Sequence, residues 1–360
     1  MTTSTPPGTA RAATLTDPAQ LIASLPYLLG FTPADSVVLL GHRAPGTRVG
    51  LILRADLPPR ELVAEQADSL VPRFIVDDHV GVTAVLVGGR AGPGGEPPHA
   101  GFAEELRRAF HEYELPIFHP LWTAEITAGA PWQCYRDAGC GGKLPDPRST
   151  VVAATTTKAG FVAFRSREEV EALLEPRSPE AVARRRAMLS GATPPWRPAD
   201  ELAAAAAEIR TAFFRHRRDP GPLSDDEAVR LAHATAVTPI RDACLATAVP
   251  ADSPVALAAA DFWLSLVREL PAPHRAQVAS LLAYAALMRG EGVLAGLALT
   301  NAVDADPEHV LARLLRTAWD LGTRPSRLAG LASLSDAVDL GLSAVELAET
   351  EEPPPSASEP

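Results

Sequence analysis

The chain is poor in cysteine, lysine and asparagine, and each scarcity narrows what it can be. Cys134, Cys140 and Cys244 are the only cysteines among 360 residues. They are too few and too widely spread for a disulfide scaffold, so reduced thiols in a cytoplasm are expected. No run approaches the ~20 apolar residues of a membrane span. Met1 to Thr16 also lacks the basic region, apolar stretch and cleavage site of a leader. The expectation is a cytoplasmic protein without membrane attachment. Lys143 and Lys158 are the only lysines and Asn301 the only asparagine, while alanine, proline and arginine abound. Such a bias fits a GC-rich genome, so arginine frequency alone says little about phosphate binding. A net charge of -11 opposes general attraction to nucleic acid.

What is present is a globular balance: 46% hydrophobic and 21% charged residues. The length exceeds one ordinary domain of ~100 to 200 residues. Residues 1–14 read as a disordered N-terminus. Asp17-Pro18 then offers a cap and a first-turn proline, and Leu21, Ile22, Leu25, Leu28 and Leu29 share a helical face that Pro26 interrupts. The continuous apolar run in Ser36 to His42 predicts a strand buried on both faces. A short turn, Ala44-Pro45-Gly46-Thr47, precedes a second β-rich run over Arg48 to Ala55, which forces an antiparallel pair. Helix is predicted from Pro59 to about Ile75, strand over Gly81 to Gly88, helix from Gly101 to Tyr113, and strand over Pro116 to Glu125. Trp132 to Tyr135 reads as a short strand and Cys140 to Pro147 as irregular. Val151 to Thr157 fits either a strand or a helix. This alternation predicts an α/β region, a mixed sheet with flanking helices, over residues 15–177.

From Ser178 onward strand signals stop. Helix starts are marked by Ser178-Pro179, Ser224 with Glu227, and Asp306-Pro307, giving an all-helical region over 178–348. Residues 349–360 are acidic and proline-rich and read as a solvated tail. Leu282, Ala283, Ala286, Ala295, Leu299, Ala302 and Pro307 match one tetratricopeptide-like helical hairpin. A shift of 34 residues puts Arg316 and Thr317 where Leu and a small residue should stand, so no solenoid is expected.

Chemical signals are sparse. Cys134 and Cys140 have no second pair to complete a tetrahedral metal site, so no metal or cofactor is expected. The glycine-rich Gly88 to Gly95 lacks the Lys-Ser or Lys-Thr of a phosphate loop, and no Gly-x-Ser-x-Gly elbow occurs. Arg184 to Arg186 point around a helix, and Arg215 to Arg218 adjoin Phe213 and Phe214, aromatics placed to anchor the helix in a core. Asp77, Asp78 and His79 precede one strand, and Arg54 and Asp56 end another. Both groups could line one end of the sheet or opposite ends.

Two stretches carry a family resemblance. One runs from Leu25-Pro26-Tyr27-Leu28-Leu29-Gly30-Phe31-Thr32-Pro33-Ala34-Asp35-Ser36-Val37-Val38 to Arg54-Ala55-Asp56-Leu57-Pro58. The other runs from Leu281-Leu282-Ala283-Tyr284 through Gly290-Glu291-Gly292 to Asp306-Pro307 and Ala312-Arg313-Leu314-Leu315. On these residues the chain resembles the domain of unknown function 4192 family, found mainly in actinobacterial proteins, over roughly residues 15 to 330. The resemblance implies a two-part protein of unassigned role and adds no catalytic residue. Similar proteins often carry a cysteine-rich segment after a tryptophan, where Trp132 to Gly142 stands here. Gly141 occupies a place where a cysteine is expected.

Two functional expectations follow. The first is a non-enzymatic interaction or scaffold role, with a protein partner or self-association through the helical half. The second is a small-ligand binder or enzyme at the rim of the sheet, with Asp35, Arg54, Asp56 and Trp132 as its residues.

Overall fold

Strand and helix signals resolve into a mixed sheet followed by helices. The computed structural model describes residues 2–4, 17–44, 48–76, 78–158, 160–335 and 338–342. The sheet strands are β1 (Thr2–Ser4), β2 (Ser36–Arg43), β3 (Arg48–Asp56), β4 (His79–Val87), β5 (Ile117–Thr123), β6 (Pro131–Cys134) and β7 (Gly141–Lys143). Their order is β1-β3-β2-β4-β5-β6-β7. β1 pairs with the edge of β3, backbone pairing that the composition of residues 1–14 does not signal. The rest of that segment, the tip Pro45 to Thr47 and the tail 349–360 lie outside the described residues.

β2 and β3 form the expected antiparallel hairpin, and β2 also runs antiparallel to β4. β4 and β5 are parallel, joined by a crossover through α4 (Ala100–His111). One sheet face presents Val37, Leu39, Leu53, Ala55, Ala84 and Leu86 to α2 (Val63–Leu70), α3 (Pro72–Ile75) and α4, where Leu70, Phe74, Leu106 and Phe110 complete the core. Phe74 and Phe110 meet edge to face at 5.5 Å. Each such ring contributes on the order of 1.5–3 kcal/mol by leaving water. The other face is equally dry, with Val38, Leu40, Ile52, Val85 and Leu121 all fully buried, which explains why β2 and β4 read as unbroken apolar runs.

Caps behave as their residue types demand. Asp17 accepts from the Ala19 N–H to open α1 (Pro18–Leu29), which runs through Pro26 and ends at Gly30 with φ +85°. Val151–Lys158 is a helix, α5, opened by the Thr150 Oγ1. Its Thr155 and Thr156 hydroxyls donate back to the Val151 and Val152 carbonyls. Gly141–Lys143, expected to be irregular, is a strand paired with β6. Ser166 caps α6 (Arg167–Ala172).

The chain divides into two units. The first comprises Met1–Leu173 with Gly290–Leu297 and Arg316–Arg324, and the second comprises Leu174–Arg289, Ala298–Leu315 and Pro325–Pro360. Two returning segments thus belong to the α/β unit. Within it, the Trp319 indole donates to the Gly292 carbonyl at 3.2 Å, and Arg324 pairs with Asp78 at 3.5 Å.

The helical unit contains α7 (Pro179–Leu189), α8 (Glu201–Arg218), α9 (Asp225–Ala236), α10 (Thr238–Ala246), α11 (Pro254–Val267) and α12 (Arg275–Arg289). Ser178 and Ser224 cap α7 and α9 as the sequence predicts. Phe213, Phe262, Trp263 and Tyr284 are fully buried, and alanines such as Ala228, Ala232, Ala279 and Ala283 let neighbouring helices approach. After α12 come α13 (Gly292–Ala305), within which the division between units falls, then α14 (Val310–Asp320) and α15 (Pro325–Leu328). The start expected at Asp306-Pro307 is displaced. α14 begins at Val310, because His309 Nδ1 accepts the Ala312 N–H while Asp306 holds only the turn before it. Among the described residues no helix is long and apolar enough to cross a membrane.

Candidate functional site

The rim of the sheet takes its shape from strand register. Ser36 pairs with Asp56 and with Val87, and Val87 with Thr123, so these strand ends share one edge. Asp35, Arg54 and Asp56 lie there. Asp78 and His79 lie at the opposite end, because β4 begins where β2 finishes; Asp77 is outside the described residues.

Arg54 is buried on its strand, and its guanidinium donates to the Ala34 carbonyl at 3.3 Å and pairs with Asp56 at 2.6 Å. The Asp56 carboxylate is 75% exposed. Solvent screening therefore limits that pair to about 1 kcal/mol or less. Arg54 Nε and the neighbouring Ser36 Oγ are buried without a hydrogen-bond partner. Trp132 does not join this group. It stands on β6, four strand steps from β3, roughly 19 Å at ordinary strand spacing. There it packs over Gly142 of its own hairpin, with only 3.2 Å from its Nε1 to where a Cβ would sit.

The tryptophan that reaches the rim is Trp122, whose indole donates to the Gly88 carbonyl at 2.8 Å. Gly88 adopts φ +119°, and a Cβ there would meet Asp35 Oδ1 at 2.5 Å. Gly89 follows with φ +73° and His99 packed against it. Asp35 and His99 themselves sit at φ 42° and 62°, left-handed values that cost energy for residues with a side chain. Burial pushes the His99 imidazole below its usual range, while the Asp35 carboxylate opposes that shift. Gly88, His99 and Trp122 were not singled out as rim residues from sequence. The usable signal is that β4-α4-β5 is the parallel crossover, whose first loop sits at a strand-end crevice.

Beside this rim lies an apolar cavity of about 210 Å³. The segment after α5 is stitched to the end of α1: Phe164 N–H donates to the Gly30 carbonyl at 2.8 Å and Thr32 N–H to the Phe164 carbonyl at 3.0 Å. Tyr27, Gly30, Phe161, Phe164, Glu291 and Leu294 are among the residues lining the space. A cavity of about 150 Å³ can hold benzene, so this one suits a ligand on the order of ten non-hydrogen atoms. Tyr27 and Glu291 supply polar groups in an otherwise greasy wall.

Other candidates resolve into structural pairs. Cys134 and Cys140 are free thiols facing each other across the β6–β7 hairpin, with the Cys134 N–H donating to the Cys140 carbonyl at 2.9 Å. Burial raises the Cys140 thiol, with Cys134 as a further cause. No cluster of His, Cys, Asp or Glu among the described residues could hold a metal ion. Arg184 and Arg185 both pair with Asp225 at 2.9 Å, and Arg215 with Glu227 at 2.8 Å. Much of the basic clustering is therefore neutralised by neighbouring helices.

Taken as a class, this is an α/β sheet protein with a strained polar rim, an adjoining apolar cavity and a helical second unit. The chain belongs to the family defined by the domain of unknown function DUF4192, whose model matches residues 18–326. No curated protein and no solved structure matches it.

Proposed function

We propose that the protein binds a small, largely apolar molecule with a polar end in the cavity beside the sheet rim. One observation carries this reading. Tyr27 to Gly30 and Gly290 to Glu291, taken from the two separate stretches on which the family resemblance rests, line the same cavity. Packing alone would fill such a space with side chains, since voids cost stability. The apolar wall supplies affinity, and Tyr27 with Glu291 orients the polar end. Calorimetric titration with small aromatic and aliphatic amines of about that size, such as benzylamine, tests it. Saturable binding that Leu294→Trp abolishes, with the circular-dichroism spectrum unchanged, is the expected result. Equal binding by wild type and Leu294→Trp sinks the proposal.

The partner-binding reading of the helical half keeps one supporting observation. Val310 and Leu314, one turn apart on α14, are 67% and 62% exposed. An apolar pair at that spacing is an anchor for another protein or a second copy of this chain. Sedimentation velocity of the wild type and of Val310→Glu/Leu314→Glu tests self-association; a monomer in both at every concentration removes that version.

A further inference from the structure

We propose that the helical unit holds a second site, for a tetrahedral oxyanion such as a phosphate group, where α7, α9 and α12 meet. Arg186 and Arg275 carry the charge. The two guanidinium groups are close enough to repel, Arg186 acting on Arg275, with Asp304 a weaker counterweight. Neither forms an ion pair or side-chain hydrogen bond among the described residues. That sets Arg186 apart from Arg184 and Arg185, which Asp225 engages. Asp304 acts on Arg275 only from a distance and forms no ion pair with it, so an anion bridging both guanidinium groups would relieve their repulsion.

Side-chain nitrogens without partners gather in the same unit. His233 is only 9% exposed, and its ring lies 6.4 Å from that of Trp196 and 6.4 Å from that of His274, the residue preceding Arg275. Trp196 Nε1, His233 Nε2, His274 Nδ1 and Arg275 Nε are all buried with no hydrogen-bond partner. Buried polar atoms are nearly always satisfied, so four orphans in one cluster point to a missing ligand rather than to four separate defects. The backbone at the start of α12 is not the receptor, since the Arg275, Ala276 and Gln277 N–H groups already donate to preceding carbonyls. Recognition falls to side chains. A phosphate group has enough acceptor oxygens to bridge the two guanidinium groups and to accept from a neighbouring imidazole as well.

Burial holds the His233 and His274 imidazoles below the usual histidine range, which favours the neutral ring with its single N–H. An adjacent anion would raise both, and this gives a readout that simple packing would not produce. The experiment titrates the full chain with inorganic phosphate by calorimetry, ionic strength being held constant with sodium chloride. Saturable binding is expected, weakened about tenfold or more by Arg275→Gln and by Arg186→Gln. Arg186 is exposed, so its variant leaves the fold intact even where Arg275→Gln does not. Ring resonances of His233 and His274, followed by NMR, should titrate at higher pH once phosphate is present. Absence of saturable binding, equal affinity in wild type and Arg186→Gln, or histidine titrations indifferent to phosphate overturns the proposal.

Discussion

Replacing Arg185 by methionine should be among the most damaging single substitutions in the helical unit. Arg185 and Glu269 are each only 2% exposed and form an ion pair. The same guanidinium donates to the Glu269 carbonyl at 3.0 Å, the Leu223 carbonyl at 2.7 Å and Asp225 at 2.9 Å. Methionine fills similar volume, so the loss is electrostatic. It strands a buried carboxylate whose remaining partner is Arg177 at 3.4 Å, and it orphans two carbonyls. Removing one member of a buried pair costs about 3–5 kcal/mol. For a unit of this size that lowers the midpoint by roughly 6–20 °C. Arg185→Met/Glu269→Leu removes both charges and should recover at least half of the loss, because the desolvation of both ions disappears with their attraction. Thermal and urea unfolding followed by circular dichroism would measure this. A single variant within 1 kcal/mol of wild type, or a double variant as unstable as the sum of its singles, refutes the reasoning.

Three further perturbations test other parts of the structure. His42 is buried against Thr83, and burial, with His119 and His79 nearby, lowers its pKa to about 4. Its folded pKa lies below the unfolded value, so this contribution is complete above about pH 6.5 and falls away towards pH 4, roughly 3 kcal/mol in all. His42→Gln should flatten that part of the stability-against-pH profile, and an unchanged slope counts against it. Gly296→Ala places a methyl 2.7 Å from the Trp319 ring and should cost about 1–3 kcal/mol, visible as a lower unfolding midpoint; no change would mean the indole moves freely. Gly88→Ala combines φ +119° with a 2.5 Å approach to Asp35 Oδ1 and should cost about 1–3 kcal/mol, while Gly95→Ala, with φ +87° and no neighbour, isolates the backbone part.

Local chemistry made much of the fold legible. The caps at Asp17, Ser166, Ser178 and Ser224 need only a side-chain oxygen and the next few N–H groups, and each forms. β2 and β4 were legible because a strand buried on both faces has no polar alternation to obscure it. β7 was not, because Gly141, Gly142 and Lys143 are exposed and pair only through backbone atoms. Nor was the start of α14, where a histidine ring nitrogen takes the capping role that the sequence assigns to Asp306. Val151 to Thr157 carried a conflict between β-branched residues, which favour a strand, and alanines, which permit a helix, and the helix forms.

The candidate sites were less legible for a physical reason: each depends on residues distant in sequence. Nothing in Tyr27 or Glu291 alone marks a cavity, and the wall exists only because the first turn of α13 belongs to the α/β unit. Likewise Arg184, Arg185 and Arg186 are equivalent in sequence, yet Asp225 and Glu269 take up two of them and leave the third. A run of arginines therefore carries its meaning in what does not pair with it. The same logic separates Trp122 from Trp132: both stand on strands near the same rim, and only the one whose indole finds the Gly88 carbonyl belongs to it. In a chain whose composition inflates arginine and leaves few distinctive residues, the discriminating signal is the unsatisfied partner rather than the residue type.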